Sequence, residues 1–275
     1  MPDNPTETSA SPPDTLIVQR DDSIAHIRLN RPDKLNALTP DMGPAYAQLL
    51  TNLDADPEVR GIVVTGSGRG FCSGADLTTL SGSLDDLRAY VSGQSLATLP
   101  ALALSLGTPV ATAINGPCAG IGFVLAVSAD ARFVHPEATL STTFARLGLV
   151  AEYGIAWLLP RLIGLPAATD LLLTGRTITG EQAEEMGLAT CVEDPVAAAH
   201  DWVADIAANS SPSSVATMKR QILAADQQTL VEAIDGSLIE MAAAFDSPDF
   251  HEALAARADK RPPRFGGYAG STLWP

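Results

Sequence analysis

Basic residues are scarce. Only 17 lysines and arginines stand against 32 aspartates and glutamates, a formal net charge of −15. That balance argues against nucleic-acid binding, which needs a basic footprint. Cysteine is also sparse. Cys72, Cys118 and Cys191 are isolated, with no CxxC pair, so neither a disulfide framework nor a thiolate metal site is expected, and all three read as buried reduced thiols. The four histidines (His26, His135, His200, His251) show no HxxxH spacing, and no metal site is expected from them. Long apolar runs are missing too. The longest, CAGIGFVLAVSA at 118–129, is too short to span a bilayer. The N-terminus, MPDNPTETSASPPD, lacks the basic and apolar regions of a signal peptide. Its Pro, Ser, Thr and acidic residues read as a disordered tail over 1–14. A soluble, cytoplasmic protein without membrane or nucleic-acid partners is the expectation.

Apolar residues are plentiful. They make up 46% of the 275 residues, and the mean hydropathy is +0.13. This suffices for one large domain, or a core with a helical appendage. TLIVQR and SIAHIRLN read as a hairpin about Asp21–Asp22. Thr39–Pro40 reads as an N-cap and first position of a helix running to about Leu53. GIVVTG and PVATAIN read as buried parallel strands, with AGIGFVLAVSA as a helix behind the second and ARFV and ATLST as further strands. Residues 84–106 read as a helix that Pro100 breaks or kinks. From Gly154 the pattern is mostly helical, with one short strand near ATCV, and the end of the chain, KRPPRFGGYAGSTLWP from Lys260, reads as irregular. The fold class that follows is α/β, with an alternating core over 15–200 and a helical C-terminal region over 201–275.

Most familiar motifs fail. TGSGRGF resembles a dinucleotide-binding turn, but GxGxxG would need glycine where Phe71 stands. There is no Walker A sequence, no GxSxG elbow and no kinase set. Two glycine-rich turns survive, GRGFCSGADL at 68–77 and INGPCAGIGF at 114–123. Each follows a strand and leads into a helix. Such turns either permit close packing alone or expose backbone N–H groups that hold developing negative charge. LGLVAEYGIAWLLP at 147–160 holds one carboxylate, Glu152, in an otherwise apolar run. It is either a surface turn residue or a buried acid whose raised pKa suits proton transfer.

Six ordered segments resemble the enoyl-CoA hydratase/isomerase (crotonase) family from about residue 15 to 267. They are NRPDKLNAL, GRGFCSGADL, PVATAINGPCAGIGFVLAVSADARF, FARLGLVAEYGIAWLLPRLIG, LLLTGRTITGEQAEEMGLA and SPDFHEALAARADKRPPRF. The resemblance implies a crotonase-like spiral of ββα units with a C-terminal helical trimerisation region, assembled as a homotrimer or dimer of trimers. It implies an acyl-CoA thioester substrate and no separate cofactor, coenzyme A being part of the substrate. Two backbone N–H groups, of Ala75 and Ile121, would form the oxyanion hole, and the Ile121 side chain is expected to narrow the acyl pocket. Lys34, Leu35 and Ala37 match the segment lying along CoA. By the same resemblance Asp76 and Leu77 are expected to contribute to substrate binding, with bracing of the turn after Ala75 as the other role open to Asp76.

The two glutamates with which the family's hydratases position water are missing. Val124 and Phe144 occupy their positions, and both are expected to line the acyl pocket. Glu152 stands where the Δ3,Δ2-enoyl-CoA isomerase branch, with sequences resembling GLVPE-G and GLIPD-G, carries its single acid. The reading that follows is an isomerase with Glu152 as proton shuttle. Hydration or other enolate chemistry on an unusual acyl-CoA is a second reading, and a non-catalytic acyl-CoA-binding protein a third. Phe123, Phe144 and Tyr153 suggest an apolar chain or ring as acyl group. Asp130 reads as structural, Glu137 as a loop residue, Glu181, Glu184 and Glu185 as a solvated helix face, and Lys219 as a surface lysine.

Overall fold

The computed structural model describes residues 14–76, 83–93 and 100–268. The expected tail lies outside them except for Asp14, as does the end of the chain from 269. In chain order the strands are Leu16–Asp21 (β1), Ile24–Leu29 (β2), Gly61–Gly66 (β3), Val110–Ile114 (β4), Cys118–Ala119 (β5), Ala131–Val134 (β6), Thr139–Ser141 (β7), Ile178–Thr179 (β8) and Thr190–Cys191 (β9). The α-helices are Met42–Ala55 (α1), Leu84–Ser92 (α2), Ile121–Val127 (α3), Ile155–Thr174 (α4), Gly180–Glu185 (α5), Pro195–Asn209 (α6), Pro212–Ala224 (α7), Leu230–Phe245 (α8) and Pro248–Ala258 (α9).

β1 and β2 pair antiparallel, and Asp22, at φ 51°, closes the turn between them. The large sheet then runs parallel in the order β1-β2-β3-β4-β6-β9, while β5, β7 and β8 form a small second sheet. After β4 the chain lays β5 in the small sheet and then forms α3. After β6 it lays β7 there and then forms α4. Each unit thus places one strand in each sheet before its helix, which is the α/β spiral of ββα units.

β3 explains why a parallel strand reads as a continuous apolar run. All six of its residues are buried. Ile62 and Val64 face the main core with Leu50 of α1, while Val63 faces the other side, where Ala199 and Val203 of α6 cover it. Residue 200, the expected end of the core, falls inside α6.

Two boundaries differ from expectation. α1 begins at Met42, not Pro40, because Thr39–Met42 is a turn closed by Met42 N–H donating to the Thr39 carbonyl at 3.1 Å. Pro40 serves its second position, which its fixed φ suits. The helix expected over 84–106 ends at Ser92, and Pro100–Ser105 is a separate 3₁₀ turn. Lys219 is also not at the surface. It is 9% exposed, donating to Asp130 Oδ2 at 2.5 Å and the Thr108 carbonyl at 3.0 Å. Asp130 also accepts Val110 N–H at 2.7 Å, in keeping with its expected structural role.

α4 is the one described helix long and apolar enough, by length and composition alone, to cross a membrane. It breaks at Gly164 (φ 76°, ψ 158°) and contains Pro160 and Pro166. α8 has no buried residue, and it exposes Leu230, Val231, Leu238 and Ile239 among others.

Candidate active site

Three extended segments from distant parts of the sequence lie side by side. Leu35 and Asn36 both take left-handed φ values (48° and 57°), turning the chain after the Pro32–Lys34 3₁₀ turn. The Asn36 side chain is fully buried and pins this turn. It accepts Arg31 N–H at 2.8 Å and donates to the Ser67 and Gly70 carbonyls at 3.0 and 2.7 Å. Ser73 N–H then donates to the Leu35 carbonyl, Leu38 N–H to Gly74 and Asp76 N–H to Leu38. On the other side, Cys72 bridges Cys118 of β5, and Ala119 N–H donates to the Cys72 carbonyl at 2.9 Å.

This pairing fixes the Ala75 peptide. In the Leu38–Ala75 bridge the bonds to Leu38 are made by the neighbours Gly74 and Asp76, so the Ala75 N–H points the other way. It meets no acceptor among the described residues. Ile121 opens α3 behind Gly120 (φ 54°, ψ −124°), with no side-chain cap, so its N–H is one of the helix's unpaired first-turn donors. Gly74, at φ 111°, and Gly120 let the two turns approach: a Cβ built on Gly120 would lie 3.9 Å from the Gly74 Cα. Two unpaired amides are thereby held on adjoining turns, as preorganised stabilisation of an oxyanion requires.

Ala75 and Ile121 share a cavity of about 240 Å³ with Glu152, Phe144, Tyr153, Leu38, Pro40 and Leu147. Glu152 follows a turn in which Leu149 N–H donates to the Phe144 carbonyl, and its own carbonyl accepts Ile155 N–H at the start of α4. Its carboxyl group has no charged partner among the described residues, and burial raises its pKa above the ordinary glutamate range. A larger cavity, about 670 Å³, lies at the other end of α3 against Val127, Trp157 and Trp202. Volume alone would favour it. It contains neither free amide, however, and its two acids, Asp130 and Asp226, are ion-paired to Lys219 and Arg161.

The structure divides the other expected site residues. Phe144 is in the cavity wall. Val124 is not among the described residues lining it: it is fully buried in the main core, in a helix whose every residue is buried. Phe123 is likewise fully buried and is not among the described residues lining the cavity. Lys34 is exposed, Leu35 half-buried and Ala37 buried, on the segment whose continuation, Leu38–Pro40, reaches the cavity. Asp76 is buried and bonds to Arg31 at 2.8 Å, while the same Arg31 nitrogen donates to the Ala37 carbonyl at 2.6 Å. This brace holds the segment carrying Ala75. Arg31 was not singled out in the sequence, since its partner lies 45 residues away. Leu77 lies outside the described residues. Cys72 and Cys118 are buried as expected, whereas Cys191 is only half-buried, and burial pushes the Cys72 thiol up to about 12, which makes it a poor nucleophile.

The family model described as enoyl-CoA hydratase/isomerase matches residues 19–268. The chain belongs to the enoyl-CoA hydratase/isomerase family. It is 33% identical to the 1,2-epoxyphenylacetyl-CoA isomerase of Escherichia coli over 88% of this chain and 94% of that protein. It is 31% identical to the peroxisomal Δ(3,5)-Δ(2,4)-dienoyl-CoA isomerase of Arabidopsis thaliana, over 89% and 93%. Several relatives with hydratase names are 32–34% identical. The crystal structure of enoyl-CoA hydratase from Bacillus anthracis superposes with a TM-score of 0.83 at 30% identity, covering 92% of this chain and 100% of that one. Members of this family act on acyl-CoA thioesters. The crotonase fold is therefore present in sequence and in structure.

Proposed function

We propose that this enzyme shifts the double bond of a 3-enoyl-CoA to the 2-position. The observation that carries the reading is that Glu152 is the one acid among the described residues lining the cavity with the two free amides. The thioester oxygen accepts hydrogen bonds from Ala75 and Ile121 N–H. The Glu152 carboxylate removes a proton from C2, and charge passes to that oxygen as the dienolate forms. Glu152, now protonated, returns the proton at C4. Two fixed donors at the developing charge are worth on the order of 10²–10³-fold each, by analogy with acyl-transfer enzymes. The apolar surroundings of Glu152 raise its basicity and limit access of water to the dienolate. Coenzyme A enters as part of the substrate, along Lys34, Leu35 and Ala37. Isomerase names among the relatives support this reading.

Hydration of a 2-enoyl-CoA is the second reading, favoured by the hydratase names of other relatives. The buried Val124 and the apolar Phe144 weigh against it, since neither positions water. Assembly as a homotrimer or dimer of trimers is supported by the apolar residues α8 leaves exposed. The test is to mix the protein with a trans-3-enoyl-CoA and follow the ultraviolet absorbance of the conjugated product, then offer a 2-enoyl-CoA. Growth with the first and no loss with the second supports the isomerase. Loss with the second overturns it, and silence with both, with CoA thioesters still bound, favours the binding protein.

A further inference from the structure

Thr143 is a β-branched residue in the left-handed region (φ 55°, ψ −16°), where such side chains are outliers. Backbone held there is of a kind that clusters at functional sites. The turn is tight: Phe144 N–H reaches back to the Thr142 carbonyl at 2.7 Å, with Thr143 at its apex. Both flanks enforce it. Thr142 Oγ1 donates to the Leu171 carbonyl at 2.7 Å, and the Phe144 ring is buried. The result is a hydroxyl in the wall of the cavity beside the oxyanion turn. A Cβ built on Gly120, the residue before Ile121, would lie 3.5 Å from Thr143 Oγ1.

We propose that the Thr143 hydroxyl is a third hydrogen-bond donor to the thioester oxygen, alongside Ala75 and Ile121 N–H. In the unliganded protein it donates to the Thr142 carbonyl at 2.9 Å. That carbonyl also accepts Phe144 N–H, so rotating the hydroxyl towards a substrate leaves no buried acceptor without a partner. The switch is therefore inexpensive, and the donor reaches full strength only when the oxygen gains negative charge. Unlike the two amides, this donor belongs to the side chain and can be removed by substitution.

The inference rests on the thioester-binding part of the function proposed above and not on the isomerisation step. Its test therefore uses a saturated substrate that cannot isomerise. Hexanoyl-CoA labelled with ¹³C at the thioester carbonyl is bound to the wild type, Thr143→Ser and Thr143→Val, and the carbonyl stretch is read by difference infrared spectroscopy. The expected result is a lowered frequency in the wild type and the Ser variant, and a smaller lowering in the Val variant at similar affinity. In the isomerase assay kcat/KM should fall about 10- to 100-fold in Thr143→Val and recover in Thr143→Ser. Thr143→Ala replaces the Val variant if that one does not fold. An unchanged frequency in the variant without the hydroxyl overturns the proposal, as does a wild type that does not shift the carbonyl at all. A normal infrared pattern without isomerisation leaves the donor in place and removes only the reaction.

Discussion

Gly122 of α3 lies directly against Cys72: a Cβ built on it would stand 2.3 Å from the Cys72 carbonyl oxygen and 2.8 Å from its sulfur. The obstacle is backbone, so the helix must move if the glycine is replaced. Gly122→Ala should therefore push the helix carrying Ile121 away from the strand carrying Ala75. Displacements near 1 Å at a reacting centre cost about 10²-fold. The expected outcome is a loss of roughly that size in kcat/KM, with the circular dichroism spectrum retained. Full activity in this variant would show that the spacing of the two amides does not matter.

Glu152→Gln removes the proposed proton shuttle while keeping shape. General acid–base groups contribute about 10²- to 10⁴-fold, and a loss in that range is expected with little change in affinity for a saturated acyl-CoA. Binding is read by calorimetry and turnover by absorbance.

The pH dependence follows from the same residue. The carboxylate is the active form, and burial raises its pKa. Activity should therefore rise with pH through an inflection above the ordinary glutamate range. Stability has the opposite sign. The folded chain holds the proton more tightly than the unfolded chain, so Glu152 lowers stability as pH rises through its folded-state pKa. Denaturant titrations of the wild type and Glu152→Gln at acid and neutral pH check this. The Gln variant should gain on the wild type as pH rises.

Much of this site was legible in the sequence because its parts are local. The turns around Ala75 and Ile121 are glycine-rich, and a lone acid in an apolar run draws attention to Glu152. Strands such as GIVVTG announce themselves by burial on both faces. What stayed hidden depends on partners far away or on missing periodicity. Every residue of α3 is buried, so no polar stripe shows which side faces the cavity and which, like that of Val124, packs into the core. β5 and β8 have two residues each, too few for any alternation. The burial of Lys219 depends on Asp130, 89 positions earlier.

That lysine gives a stability prediction. Removing one partner of a buried ion pair leaves the other charge uncompensated, at a cost of about 3–5 kcal/mol. Lys219→Ala should lower unfolding free energy by an amount in that range, measured by urea titration. Replacing Lys219 and Asp130 together, Lys219→Met with Asp130→Asn, should restore part of it.

Tyr46 lies in the core with its hydroxyl buried and no hydrogen-bond partner among the described residues, and burial pushes its pKa well upward. An unsatisfied buried hydroxyl is a liability. Tyr46→Phe should leave activity unchanged and raise stability by about 1 kcal/mol, read as a higher denaturation midpoint at equal slope.

Helix α4 holds both ends of the loop that carries Glu152. Its second half accepts Thr142 Oγ1 through the Leu171 carbonyl and Arg146 Nε through that of Thr174, while its first turn receives the chain at Ile155. The two amides, by contrast, are fixed by the strand pairing of Leu38, Cys72 and β5. Residues 142–155 thus hang from α4 as one unit that carries both the proton shuttle and the side-chain donor of Thr143, while the two backbone donors are held by a separate support.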